Sequence, residues 1–247
     1  FLALDIGNSF TKVGLFRESL TPRYARVSTA QLETALPEIL ESWAPPIVKA
    51  AGWVSVSHDQ ALADWPVWQK WGIRPRPVRS TDHLPVVNAY ATPETLGPDR
   101  IVAAIGAWVH SGRKPVLVID AGTALTFDCI DGEGTYRGGA IAPGLHMRFQ
   151  ALNQFTAKLP LVEAEDDPPL VGDSTHSSIR SGVINGMRAE LFGTIEAYRP
   201  ILGSDMQVYL TGGDTSYFVN HLKSSIFADP YLVLRGVHYI LIQQHTI

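Results

Sequence analysis

Three short glycine turns end apolar runs and carry an aspartate with a hydroxyl close by: Asp5-Ile6-Gly7-Asn8-Ser9, Asp120-Ala121-Gly122-Thr123 and Leu210-Thr211-Gly212-Gly213-Asp214. Glycine lets a backbone come close to a phosphate, so that successive N–H groups and a hydroxyl point at its oxygens. An aspartate at the strand end accepts only, and can hold a hydrated cation beside that phosphate. Taken singly, Asp-x-Gly and Gly-Asn are also ordinary hairpin turns. The repetition of the pair, with the third turn after it, favours the phosphate reading.

Other chemistries find no support in the residue spacing. The chain has no GxxxxGK[ST] segment, which excludes a P-loop, and no GxGxxG after a strand, which leaves a Rossmann dinucleotide site unsupported. Cys129 is the single cysteine, so neither an internal disulfide nor a thiolate zinc site can be assembled from one chain. The eight histidines show no HExxH spacing. Trp65, Trp68 and Trp71 are expected to pack in a core or between subunits, since a base-stacking role lacks basic surroundings.

The elements that must position these turns echo one another. Residues 1–16 read as an apolar strand, a turn at Gly7-Asn8 and a second strand, and residues 116–131 repeat the plan with a turn at Gly122-Thr123. A third strand is expected from Tyr136 to Ile141 after the tight turn Gly132-Glu133-Gly134. The expectation is a duplicated α/β chain with halves 1–113 and 114–247, joined near Ser111–Pro115 with a cleft between them. Pro98 suits a first helical position, with Ile101, Ile105, Trp108 and Val109 on one face and Gly112 ending the helix. Ser174 or Thr175 can cap a long helix carrying Ile179, Val183, Leu191 and Ile195, which should end before Pro200. Ser57 with Gln60 suggests another cap, with Pro66 as a kink or break. Glu163 to Pro169 reads as an exposed loop.

With 247 residues, 45% hydrophobic and 18% charged, the chain can bury a substantial core. A net charge of -4 argues against a nucleic-acid partner, which would demand a basic surface. The apolar opening is too short to span a membrane and lacks a basic lead-in, and no stretch reaches about 18 apolar residues. A cytoplasmic protein without a membrane partner is expected. Residue 1 is Phe rather than Met, so at least one residue is expected to precede it.

The turns are similar to those of acetate and sugar kinases, heat-shock chaperones and actin, whose duplicated ribonuclease H-like halves, each a mixed sheet flanked by helices, grip ATP through paired phosphate turns and a later adenosine-side glycine turn. Within that superfamily the chain resembles type III pantothenate kinase over roughly residues 2 to 240. Gly97-Pro98-Asp99-Arg100 matches the GxDR element, and DAGTALT at 120–126, GGAIAPGL at 138–145, Leu159-Pro160, TGG at 211–213 and the closing Tyr231 to Gly236 follow in order. The resemblance implies transfer of the ATP γ-phosphoryl group to pantothenate, the first step towards coenzyme A. It places the first phosphate segment at Asp5, Ile6, Gly7, Asn8, Ser9, Phe10, Thr11 and Lys12, and a second ATP contact at Thr123. Pantothenate falls to Tyr90, Gly97, Pro98, Asp99, Arg100 and Thr175. Asp99 matches the catalytic base, and Asp120 a ligand of the monovalent cation.

A carboxylate in the first turn of a helix is favoured by the dipole, so Asp99 is expected to be ionised and able to deprotonate a hydroxyl. Arg100 offers a planar fork suited to pantothenate's carboxylate. The plainer alternative makes Asp99 a helix cap and Arg100 a surface partner. Lys12 is equally readable as a phosphate contact or as a solvated lysine. Ser9 stands where the family more often has Thr, and Asp173-Ser174-Thr175 replaces a commoner Gly-x-Asn-Thr wording. The implied cofactors are ATP with Mg²⁺, and K⁺ or NH₄⁺; the implied assembly is a homodimer, with which Gly182, Gly186 and Gly193 on the long helix are compatible. Another small-molecule kinase of the superfamily, or an accessory factor for gene expression, are the competing readings.

Overall fold

The computed structural model describes residues 1–17, 20–44, 47–55, 60–222 and 226–245. The cap expected at Ser57 lies outside the described residues. Two compact units form, one from Phe1–His110 with Tyr231–Ile247 and the other from Ser111–Pro230.

The first unit holds β1 (Leu2–Ile6), β2 (Phe10–Leu15), β3 (Arg23–Ser28), α1 (Leu32–Trp43), β4 (Ala51–Ser55), α2 (Pro66–Lys70), β5 (Pro75–Pro77), the two-residue strand β6 (Val87–Asn88) and α3 (Pro98–His110). Its sheet runs β3-β2-β1-β4-β5, antiparallel from β1 to β3 and parallel from β1 to β5. The second unit holds β7 (Val116–Ala121), β8 (Ala124–Ile130), β9 (Thr135–Pro143), α4 (Leu145–Gln154), α5 (Thr175–Arg180), α6 (Gly186–Leu202), β10 (Gln207–Thr211) and β11 (Ile226–Ala228). Here β9-β8-β7-β10-β11 repeat the same order and the same change from antiparallel to parallel pairing. Each unit is therefore a mixed sheet flanked by helices, and the chain has the duplicated ribonuclease H-like fold.

The central strands explain themselves. β1 and β7 lie inside their sheets, and their near-continuous aliphatic runs are buried on both faces. In each strand the only residue not fully buried is the aspartate, Asp5 in one and Asp120 in the other. Leu2, Leu4 and Ile6 join Leu36, Leu40 and Trp68 in one core. Leu117 and Ile119 join Phe127, Ile184, Met187 and Leu191 in the other. Trp68 belongs to the first core, and Trp65 and Trp71 pack against it.

Several local outcomes differ from the sequence reading. Chain order alone puts the closing helix, α7 (Leu232–His245), in the second half, yet it packs against α3, β1 and β4 of the first unit. Glycine is the reason. A Cβ on Gly106 would lie 2.4 Å from the Leu232 carbonyl oxygen, and one on Gly236 2.0 Å from that of Val102. Without side chains at those two points, the helix backbones touch. Pro66 marks the expected break: a short 3-10 turn at Gln60–Asp64 ends before it, Trp65 is extended, and α2 starts on the proline, whose missing N–H is lost there without cost. Ser174 makes the capping box, with Ser177 as its partner, ahead of α5. The long helix passes through a π-helical turn at Ser181–Asn185 and runs beyond Pro200 to Leu202.

Candidate functional site

In the first unit the β1–β2 hairpin presents the first glycine turn. Gly7 N–H donates to the Phe10 carbonyl (3.1 Å), leaving Asn8 and Ser9 as the exposed tip. A strut from outside the motif holds this turn: Thr29 Oγ1 donates to the Gly7 carbonyl at 2.8 Å and lies 3.1 Å from Thr11 Oγ1. Thr11 and Ile6 are buried, so they support the turn from beneath. Phe10 is half exposed and carries the Arg26 guanidinium 3.8 Å above its ring.

Asp5 and Lys12 face each other in register across the hairpin, with Nζ 3.8 Å from Oδ2. Both side chains are largely buried, so the lysine is held at the carboxylate. Burial pushes the Asp5 carboxyl up to about 6; Lys12 opposes the rise, and the charge of Asp99 adds to it. The fold thus brings Asp99, distant in sequence, within electrostatic reach of the first turn.

Asp99 sits in the first turn of α3. Burial raises its carboxyl above the usual range, against hydrogen bonds from the N–H groups of Arg100 and of Asp99 itself and the Arg100 charge. Gly97 leaves room for this carboxyl, because a Cβ there would lie 2.6 Å from Asp99 Oδ1. Arg100 is buried, with its guanidinium 5.9 Å from the centre of the Tyr90 ring. Tyr90 N–H donates to Asn88 Oδ1, and Asn88 Nδ2 donates to the Ser80 carbonyl. Asp5, Tyr90, Gly97, Asp99 and Arg100 therefore form one neighbourhood in this unit.

In the second unit the other two turns meet at Asp120. Gly122 N–H donates to the Ala124 carbonyl (3.1 Å), closing the β7–β8 turn that carries Thr123. Cβ atoms on Gly122 and Gly212 would stand 3.1 and 2.6 Å from Asp120 Oδ1. Gly212 adopts φ +100°, a region that favours glycine, while Asp214 N–H ties its turn to the Ala121 carbonyl at 2.9 Å. The glycines of GGAIAPGL have separate jobs. Gly138 takes φ +88° beside the irregularity at Cys129/Ile130, and Gly139 packs directly on the Phe127 backbone. Gly144, at the start of α4, rests on the β7–β8 turn; a Cβ there would lie 2.3 Å from the Thr123 carbonyl oxygen.

Thr175 belongs to the second unit, at the start of α5. It lines an open cavity of about 800 Å³ with Leu152, Leu159, Gly172, Asp173 and Ile179. Sequence reasoning missed Thr29, whose role at Gly7 depends on β3 pairing with β2 and leaves no local signal. It also passed over His146, whose Nε2 lies 3.7 Å from Asp214 Oδ1. Among the described residues no group of three His, Cys, Asp or Glu is placed to hold a metal ion.

Comparison with known proteins gives a consistent result. The family model of type III pantothenate kinase matches residues 1–197. A type III pantothenate kinase from Phocaeicola vulgatus is 40% identical over 244 residues, covering 97% of each chain. One from Flavobacterium johnsoniae is 36% identical over 239 residues, covering 96% of this chain and 95% of its own. Among solved structures, a chain from Campylobacter jejuni assigned to the Baf family of transcriptional activators superposes with a TM-score of 0.64 at 19% identity over 100% of both chains. An inorganic polyphosphate/ATP-glucomannokinase from Arthrobacter sp. strain KM gives 0.51 at 12% identity over 99% of both. Likeness at this level of identity concerns the fold.

Proposed function

We propose that this chain, which belongs to the type III pantothenate kinase family, phosphorylates pantothenate with ATP to give 4′-phosphopantothenate, the first step towards coenzyme A. The observation that supports this reading beyond family membership is that Asp99 lies within electrostatic reach of Asp5, which ends the strand before the first glycine turn.

Asp99 acts as the general base. Pantothenate's primary hydroxyl oxygen attacks the γ-phosphorus, its proton passes to the Asp99 carboxylate, and the bond to the β-phosphate oxygen breaks with its electron pair leaving on ADP. Catalysis of this kind is mostly positioning and charge stabilisation, so a carboxylate whose affinity for a proton is raised by burial is a sufficient base. Arg100 takes pantothenate's carboxylate through its planar fork, with Tyr90 beside it. Asn8 and Ser9, at the tip of the turn that Gly7 closes, supply N–H and hydroxyl donors to the phosphates, and Lys12 adds a positive charge. Thr123 provides a second ATP contact, and Thr175 contributes to the acceptor site.

The residues fit the cations that the family implies. Asp5 is a carboxylate that burial disfavours in its charged form, which a neighbouring cation relieves; it would hold the water shell of an ATP-bound Mg²⁺. Asp120, packed against two glycine turns beside the Ala121 carbonyl, offers hard oxygen donors suited to K⁺ or NH₄⁺. Bound cations there neutralise charge on the phosphates.

The chain is further proposed to work as a cytoplasmic homodimer. The exposed glycines Gly182, Gly186 and Gly193 leave open space on the long helix for another backbone, next to half-exposed Phe192. Among the described residues no helix is long and apolar enough to cross a membrane.

A coupled ADP-release assay tests the assignment. Release dependent on both pantothenate and K⁺ is expected. No release with pantothenate in the presence of K⁺ would remove the proposal, and release with a different acceptor alone would reassign the substrate.

A further inference from the structure

The acidic, proline-rich segment at residues 163–170 has no part in the proposed chemistry, yet one helical stripe ties it down along its length. Arg180 Nε donates to the Glu163 carbonyl at 3.1 Å, and its Nη1 lies 2.6 Å from Glu165 Oε2. Asn185 Nδ2 donates to the Pro168 carbonyl at 3.3 Å, and Ser181 Oγ to the Leu170 carbonyl at 2.7 Å. Arg188 Nη1 donates to Asp167 Oδ1 at 3.1 Å. Asp167 itself takes φ +50°, a conformation that a residue with a side chain keeps only where its surroundings impose it.

The four holding residues lie on one run, from the end of α5 through the π-helical turn Ser181–Asn185 into α6. Such turns inside α-helices occur frequently at functional sites. Ser181 is buried, and Asn185 Nδ2 also donates to its Oγ at 3.3 Å, so the two side chains act together on the strap.

Where the strap leads indicates its use. Just past Leu170 the chain reaches Gly172, which lies directly on α5: a Cβ there would stand 2.3 Å from the Ser178 nitrogen. Gly172, Asp173, Ser174 and Thr175 then line the cavity of about 800 Å³. This wall is fixed at one end by the capping box of Ser174 and Ser177, and at the other by Ser181 through Leu170. A hydroxyl that must meet a substrate loses its effect when displaced by a fraction of an ångström to one ångström. We propose that Ser181 and Asn185 are positioning residues for the acceptor: by holding the strap at Pro168 and Leu170 they set the wall that carries Thr175, and touch neither substrate. This rests on the reading of Thr175 as part of the acceptor site and deepens it.

Steady-state kinetics of the whole chain, with each substrate varied in turn, test the proposal. Ser181→Ala removes the hydroxyl that holds Leu170. Asn185→Asp removes both donated bonds and keeps the oxygen that accepts from Arg188 Nη1 at 3.0 Å. Each should raise the KM for pantothenate about five- to tenfold, the size of one lost hydrogen bond, and leave the KM for ATP within about twofold. Ser181→Thr, which retains the hydroxyl, should restore most of the affinity. A purely structural role has another signature: a smaller folded fraction lowers the apparent kcat and leaves both KM values alone, and that result would overturn the proposal. So would a rise in the KM for ATP alone, because Arg188 also donates to the Tyr217 carbonyl at 3.2 Å and the stripe would then serve the turn after β10. If the unaltered chain phosphorylates a different acceptor and not pantothenate, the substrate assignment falls, and the KM for that acceptor decides the positioning role by the same criterion. No phosphorylation of any acceptor would remove both.

Discussion

Asp5 and Lys12 face one another across the β1–β2 hairpin at 3.8 Å, yet burial, helped by the charge of Asp99, pushes the Asp5 carboxyl up to about 6. Burial outweighs the lysine. The first unit thus keeps a carboxylate in a place where ionisation costs free energy, as expected of a group whose partner is a ligand cation.

Stability should record that cost. From pH 3.8 to about 6 the folded chain binds more protons at Asp5 than the unfolded chain does, so the unfolding free energy falls as pH rises through this window. Asp5→Asn should therefore stabilise the protein at pH 7.5 by about 2–4 kcal/mol and give little gain at pH 4. Thermal unfolding at both pH values checks this. A variant less stable than the parent at pH 7.5 would contradict the argument.

Activity should have the opposite pH dependence. In the roles proposed for them Asp5 and Asp99 work as ionised carboxylates, and burial raises both. The value of kcat/KM for pantothenate should drop as pH falls through about 6, above the range of an ordinary aspartate. Asp99→Asn should lower kcat by about 10²–10⁴-fold while the affinity for ATP changes little. A rate equal to that of the parent would refute the base assignment.

Gly144 should matter to one substrate only. Alanine there would push its Cβ against the Gly122 and Thr123 carbonyls and displace the β7–β8 turn. Gly144→Ala should raise the KM for ATP about tenfold or more and leave the KM for pantothenate near its original value. Steady-state kinetics with each substrate varied in turn would show it; equal changes in both would argue against the turn's role.

The α3–α7 crossing should be intolerant of a methyl group. In Gly236→Ala the added Cβ meets the Val102 carbonyl, so the helices must separate, at a cost of about 1–3 kcal/mol or more from overpacking. Denaturant unfolding measures the loss.

How much of this was legible beforehand depended on how local each signal was. The strand–turn–strand pairs announced themselves because aliphatic runs broken only by Asp5 and Asp120 belong inside a sheet. The start of α3 was readable from Pro98, and the cap of α5 from Ser174. Non-local packing was not readable. Nothing near Gly106 foretells Gly236, and nothing near Gly7 foretells Thr29. The elevated proton affinity of Asp99 was also hidden: the helix dipole, the only cue in the sequence, favours ionisation, whereas burial in the folded unit works against it.

The docking of α7 into the first unit imposes an order on the birth of the molecule. As the chain leaves the ribosome, residues 111–230 are all available to one another before 232–245 appear, so the second unit can close while the first still lacks a helix. Until then Gly106 and Val102 on α3 present a bare backbone groove. A chain stalled before residue 232 would carry a finished half and an open one, and the open half is what chaperones and proteases would meet first.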